Sequence, residues 1–411
     1  MRPRGALVAL LSGAMLAAAC AQAAAAAGGP ATEARAAVLI EASTGRQLYG
    51  LNASERLPIA STTKLMTALV TLDHVRRLDT MFSQNTYYLA SADSQIGLVP
   101  GERMSVRDLL LALLVPSADD AAEDLAYNVG HRSVARFVAM MNAQARRLRL
   151  THTHYATPSG LDTPGNYSSA SDLARLARYL LLHHPFIARA VAMPSAVLRT
   201  GNHVRRVQNR NDLVGRIRWV NGVKTGHTLD AGYVLVGSGT RDGMTLLSVV
   251  LGTDSVQTRD AGTLALLDYG FANFRLVRPI RRGAVLARLP VRAQPRVRAV
   301  LVAGAGVSRV IPRRASVAVK IELTRRLAAP LPRGAVLGSA LVVVDGRAVA
   351  RVPLVLADAL HRPPAPAGPR FLRRPTTLVS VGVLLVLVIG LALVRRGRAR
   401  TRSAARPEPV A

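Results

Sequence analysis

The sequence predicts an α+β domain, an antiparallel sheet packed with helices, followed by a small all-β sandwich and a C-terminal transmembrane helix. Three observations carry this. Strand-like runs come first, helical runs fill the middle, and strand-like runs return near residue 233. From Val277 the texture changes to short Val, Ala and Leu runs cut by Gly, Pro and Arg. Thr376 to Val394 is an uncharged apolar run, about long enough to cross a bilayer at ~1.5 Å per residue.

Ala36 to Glu41 and Arg46 to Tyr49 flank Ala42-Ser43-Thr44-Gly45 and read as a hairpin. Pro58 favours an extended or turn approach to Ser61, which opens a helix through Val70. Asp73 to Asp93 is a connector without a clear period. Ser105 and Asp108 have the spacing of a capping box ahead of the apolar run to Val115. Pro116 ends that helix and Asp119 starts the next, so Ser117 falls at the corner between them. Ser133 to Leu148 is amphipathic, and Ser169 to Asp172 opens a helix through Leu182. Lys224 to Thr228 lies in an extended segment. Tyr233 to Gly237 and Met244 to Gly252 form a hairpin, and a helix from Asp254 to Phe271 closes the domain.

Arg282-Gly283-Ala284-Val285-Leu286 recurs as Arg333-Gly334-Ala335-Val336-Leu337, a repeated turn-plus-strand within the β-rich stretch 277–360. Nothing catalytic is visible there, and a spacer or protein-contact role is expected. Residues 361–375 form a Pro-rich linker to the span 376–394. Five arginines between Arg395 and Arg402 follow, which puts the tail 395–411 in the cytoplasm and the folded domains outside. Met1 to Arg4, the apolar run to Ala19 and the alanines beyond Ala21 read as a cleaved signal peptide, 1–27. The only cysteine, Cys20, lies inside it and lacks the leucine three residues before that a lipoprotein anchor calls for.

The net charge is +30, yet aromatic residues make up only 4% and no nucleic-acid motif is present. A basic surface facing anionic lipid or polymer is the reading preferred over nucleic acid. Neither His152-Thr153-His154 nor His183-His184 has the His-Glu-x-x-His spacing, so no metal and no other cofactor is expected.

Lys64 lies three residues after Ser61, one helical turn away on the same face, and can bring its amine beside the hydroxyl. A helix N-terminus adds free N–H groups and positive dipole density. Ser-x-x-Lys alone is an ordinary pattern. With Ser117-Ala118-Asp119 and Lys224-Thr225-Gly226 it becomes, in order and wide spacing, the motif set of penicillin-recognising serine enzymes. Ser94 to Leu98, Ser159-Gly160-Leu161, Tyr167 to Ala174, Asn209-Arg210-Asn211, Asn221 to Thr228 and Ala231-Gly232-Tyr233 match as well. From about Ala36 to Phe274 the chain resembles the serine-type D-alanyl-D-alanine carboxypeptidases, the low-molecular-mass penicillin-binding proteins.

The resemblance implies a penicillin-binding/β-lactamase-like fold over 36–274. It also implies peptidoglycan stem peptides as substrate and β-lactams as covalent inhibitors. Ser61 would be the nucleophile, Lys64 its base, and Ser117 a relay of the proton to the leaving amine. Asp119, Lys224, Thr225, Gly226 and His227 would bind substrate, with the Ser61 and His227 backbone N–H groups as oxyanion hole. One departure stands out: the family usually has Asn where this chain has Asp119. A carboxylate there favours charged Lys64 and works against its role as base. Retained activity is expected. An endopeptidase and a membrane-anchored penicillin-binding sensor or scaffold remain the rival readings. A β-lactamase using a glutamate and water is disfavoured, because no Glu lies between Glu123 and Glu322.

Overall fold

The computed structural model describes residues 29–83, 94–291, 294–323, 327–362 and 375–403. The expected signal peptide with Cys20, most of the linker 361–375 and the last eight residues of the tail lie outside them, as does the end of the connector before Ser94. The chain divides into two compact units, one of residues up to Pro279 with Ser308–Val317, the other of Ile280–Val307 and Ala318 onward.

The first unit is built on a five-stranded antiparallel sheet. Its strands are β1 (Ala36–Glu41), β2 (Gln47–Leu51), β7 (Val220–Thr228), β8 (Gly232–Arg241) and β9 (Met244–Thr253), in the order β2-β1-β9-β8-β7. Strand β1 shows why the sheet needs covering on both faces: Ala-Ala-Val-Leu-Ile-Glu is buried throughout. Alternate side chains point opposite ways. Ala36, Val38 and Ile40 join one core with Leu65, Leu69, Leu173 and Leu247. Ala37 and Leu39 join a second with Leu246, Leu266, Leu267 and Phe271. Helices α1 (Lys64–His74) and α5 (Ala170–His183) supply the first cover. Helix α7 (Val256–Asn273) supplies the second.

Between β2 and β7 the chain is mostly helical, through α2 (Val106–Leu114), α3 (Asp119–Val129), α4 (Val134–Arg147) and α6 (Pro185–Val191). Two short ladders interrupt it, β3 (Met81–Phe82) with β4 (Met104–Ser105) and β5 (Ser195–Leu198) with β6 (Arg205–Gln208). Ser133 and Ser169 cap α4 and α5 by accepting from the N–H three residues on.

The capping box expected at Ser105 forms only in part. Ser105 accepts from the Asp108 N–H, but the Ser105 N–H is taken by Thr200 Oγ1. The Asp108 carboxylate instead accepts from the N–H groups of Arg199 and Thr200, stapling the end of β5 to α2. A full box occurs at Ser255 and Thr258, so α7 starts at Val256 rather than Asp254.

Strand β10 (Phe274–Ile280) pairs with β13 (Val307–Pro312) in a two-stranded ladder. The second unit holds β11 (Val285–Val291), β12 (Gln294–Ala303), β14 (Val317–Leu323), β15 (Val336–Val344) and β16 (Arg347–Leu356), ordered β11-β12-β16-β15-β14. The pentapeptide repeat is structural. Ala284 N–H donates to Arg281 O and Gly283 N–H to Ala303 O. In the second copy Ala335 N–H donates to Pro332 O and Gly334 N–H to Leu356 O. Both glycines have positive φ, +78° and +80°, in a conformation that disfavours other residues. The apolar run lies within helix α8 (Pro375–Ser403).

Candidate active site

The approach to Ser61 is tight. Ala60 takes φ +46°, and Ala60–Thr63 form one 3₁₀ turn before α1 begins at Lys64. Ser61 is therefore not an N-cap: no side chain caps either segment. Its Oγ stands free of that duty and accepts from Lys64 Nζ at 2.7 Å. Lys64, with no exposed surface, also donates to Ser159 O at 2.8 Å. Thr67 Oγ1 donates to Pro158 O, clamping the 158–160 stretch onto α1. Gly160 is required there, because a Cβ would lie 2.0 Å from Ala60 O.

Ser117 occupies the α2–α3 corner with φ +71°, a left-handed conformation uncommon outside glycine. The corner is clipped from outside by the 209–211 loop. Arg210 N–H donates to Val115 O and its Nε to Pro116 O. That loop follows β6, which a buried bidentate pair between Arg205 and Glu102 holds in place. Ser117 Oγ accepts from Lys224 Nζ at 2.7 Å, and Lys224 also donates to Thr225 O.

Lys224 comes from edge strand β7, which runs beside the Ser61 turn. Gly226 makes that approach possible, since a Cβ there would sit 2.9 Å from Ser61 N and 2.8 Å from Val234 Cγ2. His227, exposed, stacks on Tyr233 with centroids 4.0 Å apart. Ser61, Ser117, Thr225, Gly226 and His227 thus share one cleft of about 790 Å³. The two lysines stand behind it, each bonded to one of its serines.

Asp119 is placed differently from the rest. Its Oδ2 accepts from Ser94 N–H at 3.0 Å and its Oδ1 lies 2.6 Å from Lys64 Nζ. At that distance, with both groups buried, the contact is a close ion pair. The carboxylate faces Lys64 and does not line the cleft.

The electrostatics follow from burial. Loss of hydration pushes Lys64 below the ordinary lysine range, with Asp119 opposing. Burial pushes Lys224 well below it, and the Lys64 charge adds to the effect. Glu123, one turn beyond Asp119 on α3, is pushed up to about 7 by burial and then by the Asp119 charge.

Several cleft features carry no short sequence signal. Ser159 contributes a carbonyl, which any residue could supply. Arg259 is buried at the cleft wall, paired with its neighbour Asp260 at 2.8 Å, and reaches it only through the packing of α7. The histidine pairs lie elsewhere: His154 bonds Gly165 O, and His183 stacks on Tyr179.

A family model described as D-alanyl-D-alanine carboxypeptidase, peptidase S11, matches residues 21–255. The chain is 30% identical to D-alanyl-D-alanine carboxypeptidase DacF of Bacillus subtilis, covering 81% of this chain and 87% of that one. It is 33% identical to DacC of Escherichia coli, covering 80% and 84%. Among solved structures, penicillin-binding protein 5 from Haemophilus influenzae superposes with a TM-score of 0.65 at 29% identity, covering 82% and 99%. The Streptomyces K15 DD-transpeptidase does so with 0.57 at 30%, covering 60% and 99%. With more than half its length matched by the family and relatives aligned over four-fifths of it, this chain belongs to the D-alanyl-D-alanine carboxypeptidase family, peptidase S11.

Proposed function

We propose that this chain removes the terminal D-alanine from peptidoglycan pentapeptides through an acyl-enzyme on Ser61. The observation that carries the reading is the double pairing at one cleft, Ser61 with Lys64 and Ser117 with Lys224. Ser61 Oγ attacks the carbonyl of the penultimate D-alanine while Lys64 takes its proton. Burial favours the neutral amine this requires. The oxyanion is met by the Ser61 and His227 N–H groups. Lys224 and Thr225 receive the terminal carboxylate. Ser117 passes a proton to the leaving amine, free D-alanine departs, and water then hydrolyses the ester. A β-lactam acylates the same Ser61.

The same reading divides the chain by task. Residues 36–274 are catalytic, 277–360 a β-rich spacer and 361–375 a linker. The span 376–394 crosses the cytoplasmic membrane, leaving 395–411 inside and the catalytic domain outside. Residues 1–27 are removed on export.

The test is D-alanine release from a peptide ending in D-Ala-D-Ala, by the full chain in detergent and by its Ser61→Ala form. Release by the first alone is expected. Equal release from both would remove Ser61 from its role. Penicillin labelling of a folded chain without D-alanine release would favour the sensor reading.

A further inference from the structure

We infer that the β-rich unit docks on the anionic lipid surface of the membrane, through the end of its sheet from which the linker leaves. The inference rests on the membrane anchor proposed above and goes beyond the reaction.

The end in question is fixed by hydrogen bonds. Leu331 and Leu360 exchange both backbone bonds, and Gln294 Nε2 donates to His361 O at 3.0 Å. Gln294 opens β12 and pairs with Val291 at the end of β11. The chain therefore departs beside the paired ends of β11 and β12.

That end is basic and partly apolar. In the β11–β12 ladder, Leu289 faces Ala299 and Ala287 faces Leu301 on the core side. Arg288 faces Val300 and Pro290 faces Arg298 on the other side, so Arg288 and Arg298 are diagonal neighbours on one face. A bulge between Pro290 and Val291 makes Arg296, Val297 and Arg298 consecutively exposed. Arg362 is exposed at the exit, and one exposed acid, Asp358, lies nearby. Glu322 sits on β14, at the far edge of the sheet, and is paired with Arg351. Arg296 and Arg298 present guanidinium groups to phosphate, and the exposed Val297 adds apolar surface at the same end of the sheet.

Chain length keeps this surface close to the bilayer. The thirteen residues 363–375 cannot span more than about 45 Å even fully extended. Each basic side chain held at an anionic surface raises local occupancy roughly fivefold, and three together on the order of 100-fold. A phosphate-bearing wall polymer offers the same chemistry, but the short tether to the proposed span favours lipid, so lipid is the assigned partner.

The test uses the full chain reconstituted into vesicles of phosphatidylcholine, with or without phosphatidylglycerol. Alkaline extraction first reports whether 376–394 spans, independently of docking. Amide exchange of peptides covering 286–300 is then compared. The expected result is at least about threefold slower exchange in the anionic vesicles. The slowing should vanish in high salt, where the screening length falls to ~3 Å. It should also vanish in an R288Q/R296Q/R298Q variant that still binds penicillin. Equal exchange in both vesicles, or slowing that survives the triple substitution, overturns the inference. Slowing by soluble polyglycerol phosphate but not by phosphatidylglycerol also overturns it, in favour of a wall polymer.

Discussion

Lys64 Nζ lies 2.6 Å from Asp119 Oδ1, with 0% and 4% of the two side chains exposed. The proposed base thus carries a buried counter-ion that an asparagine would not provide. Burial lowers the Lys64 pKa and Asp119 raises it, and burial outweighs the carboxylate. The ion pair orients the amine, which has two other fixed partners in Ser61 Oγ and Ser159 O.

Asp119→Asn is therefore expected to shift the acidic limb of kcat/KM towards lower pH. Removing the carboxylate removes what favours the charged amine, so the neutral base persists to lower pH. Below the wild-type limb the variant should be about tenfold or more active, since one close charge partner shifts a pKa by roughly one unit or more. Profiles of D-alanine release against pH for the two forms decide it. A limb that moves up would mean Asp119 supports the base in another way.

Gly226→Ala tests the approach of β7 to Ser61. The new Cβ would meet Ser61 N at 2.9 Å and Val234 Cγ2 at 2.8 Å, so the strand must move away. A displacement of ~1 Å at a reacting centre costs about 100-fold in rate. Penicillin acylation should slow by that order, while the thermal transition falls only slightly. Unchanged acylation would show that the strand's distance from Ser61 is not limiting.

Glu102→Gln tests the support beneath the cleft rim. Glu102 and Arg205 are almost fully buried and bonded through both carboxylate oxygens. Removing one charge strands the other, at a cost of about 3–5 kcal/mol. Urea unfolding should show that loss. A double change to apolar residues of similar volume should restore most of it. Equal destabilisation by the single and double variants would mean the pair matters for shape rather than charge.

The fold was legible where local chemistry repeats. The all-buried β1, the Ser133 and Ser169 caps and the glycine turns at 283 and 334 each announce themselves within a few residues. The motif serines and lysines were legible because their roles are tied to side-chain type. Other features depend on contacts distant in sequence. Thr200 takes the Ser105 N–H that the capping box needed. Arg259 reaches the cleft by helix packing, and Ser159 contributes only its carbonyl. Asp119 was visible as a departure from the family, but its turn towards Lys64 depends on Ser94, 25 residues earlier.

Glu123 should make the stability of the folded chain fall with rising pH. Its folded pKa is raised from 4.5 to about 7, by burial and then by the Asp119 charge. The folded state therefore holds its proton more tightly than the unfolded state. The contribution is fully present below about pH 4.5 and is lost as pH rises through about 7. The side chain is partly exposed, so the effect is discounted to about 1–3 kcal/mol. Glu123→Gln removes the ionisation and keeps the shape. Its melting temperature should match the wild type near the acidic end of that window and exceed it by ~2–8 °C above the window. Melting curves that stay parallel across the window would mean that water reaches Glu123 in the folded state and that its carboxylate titrates without cost.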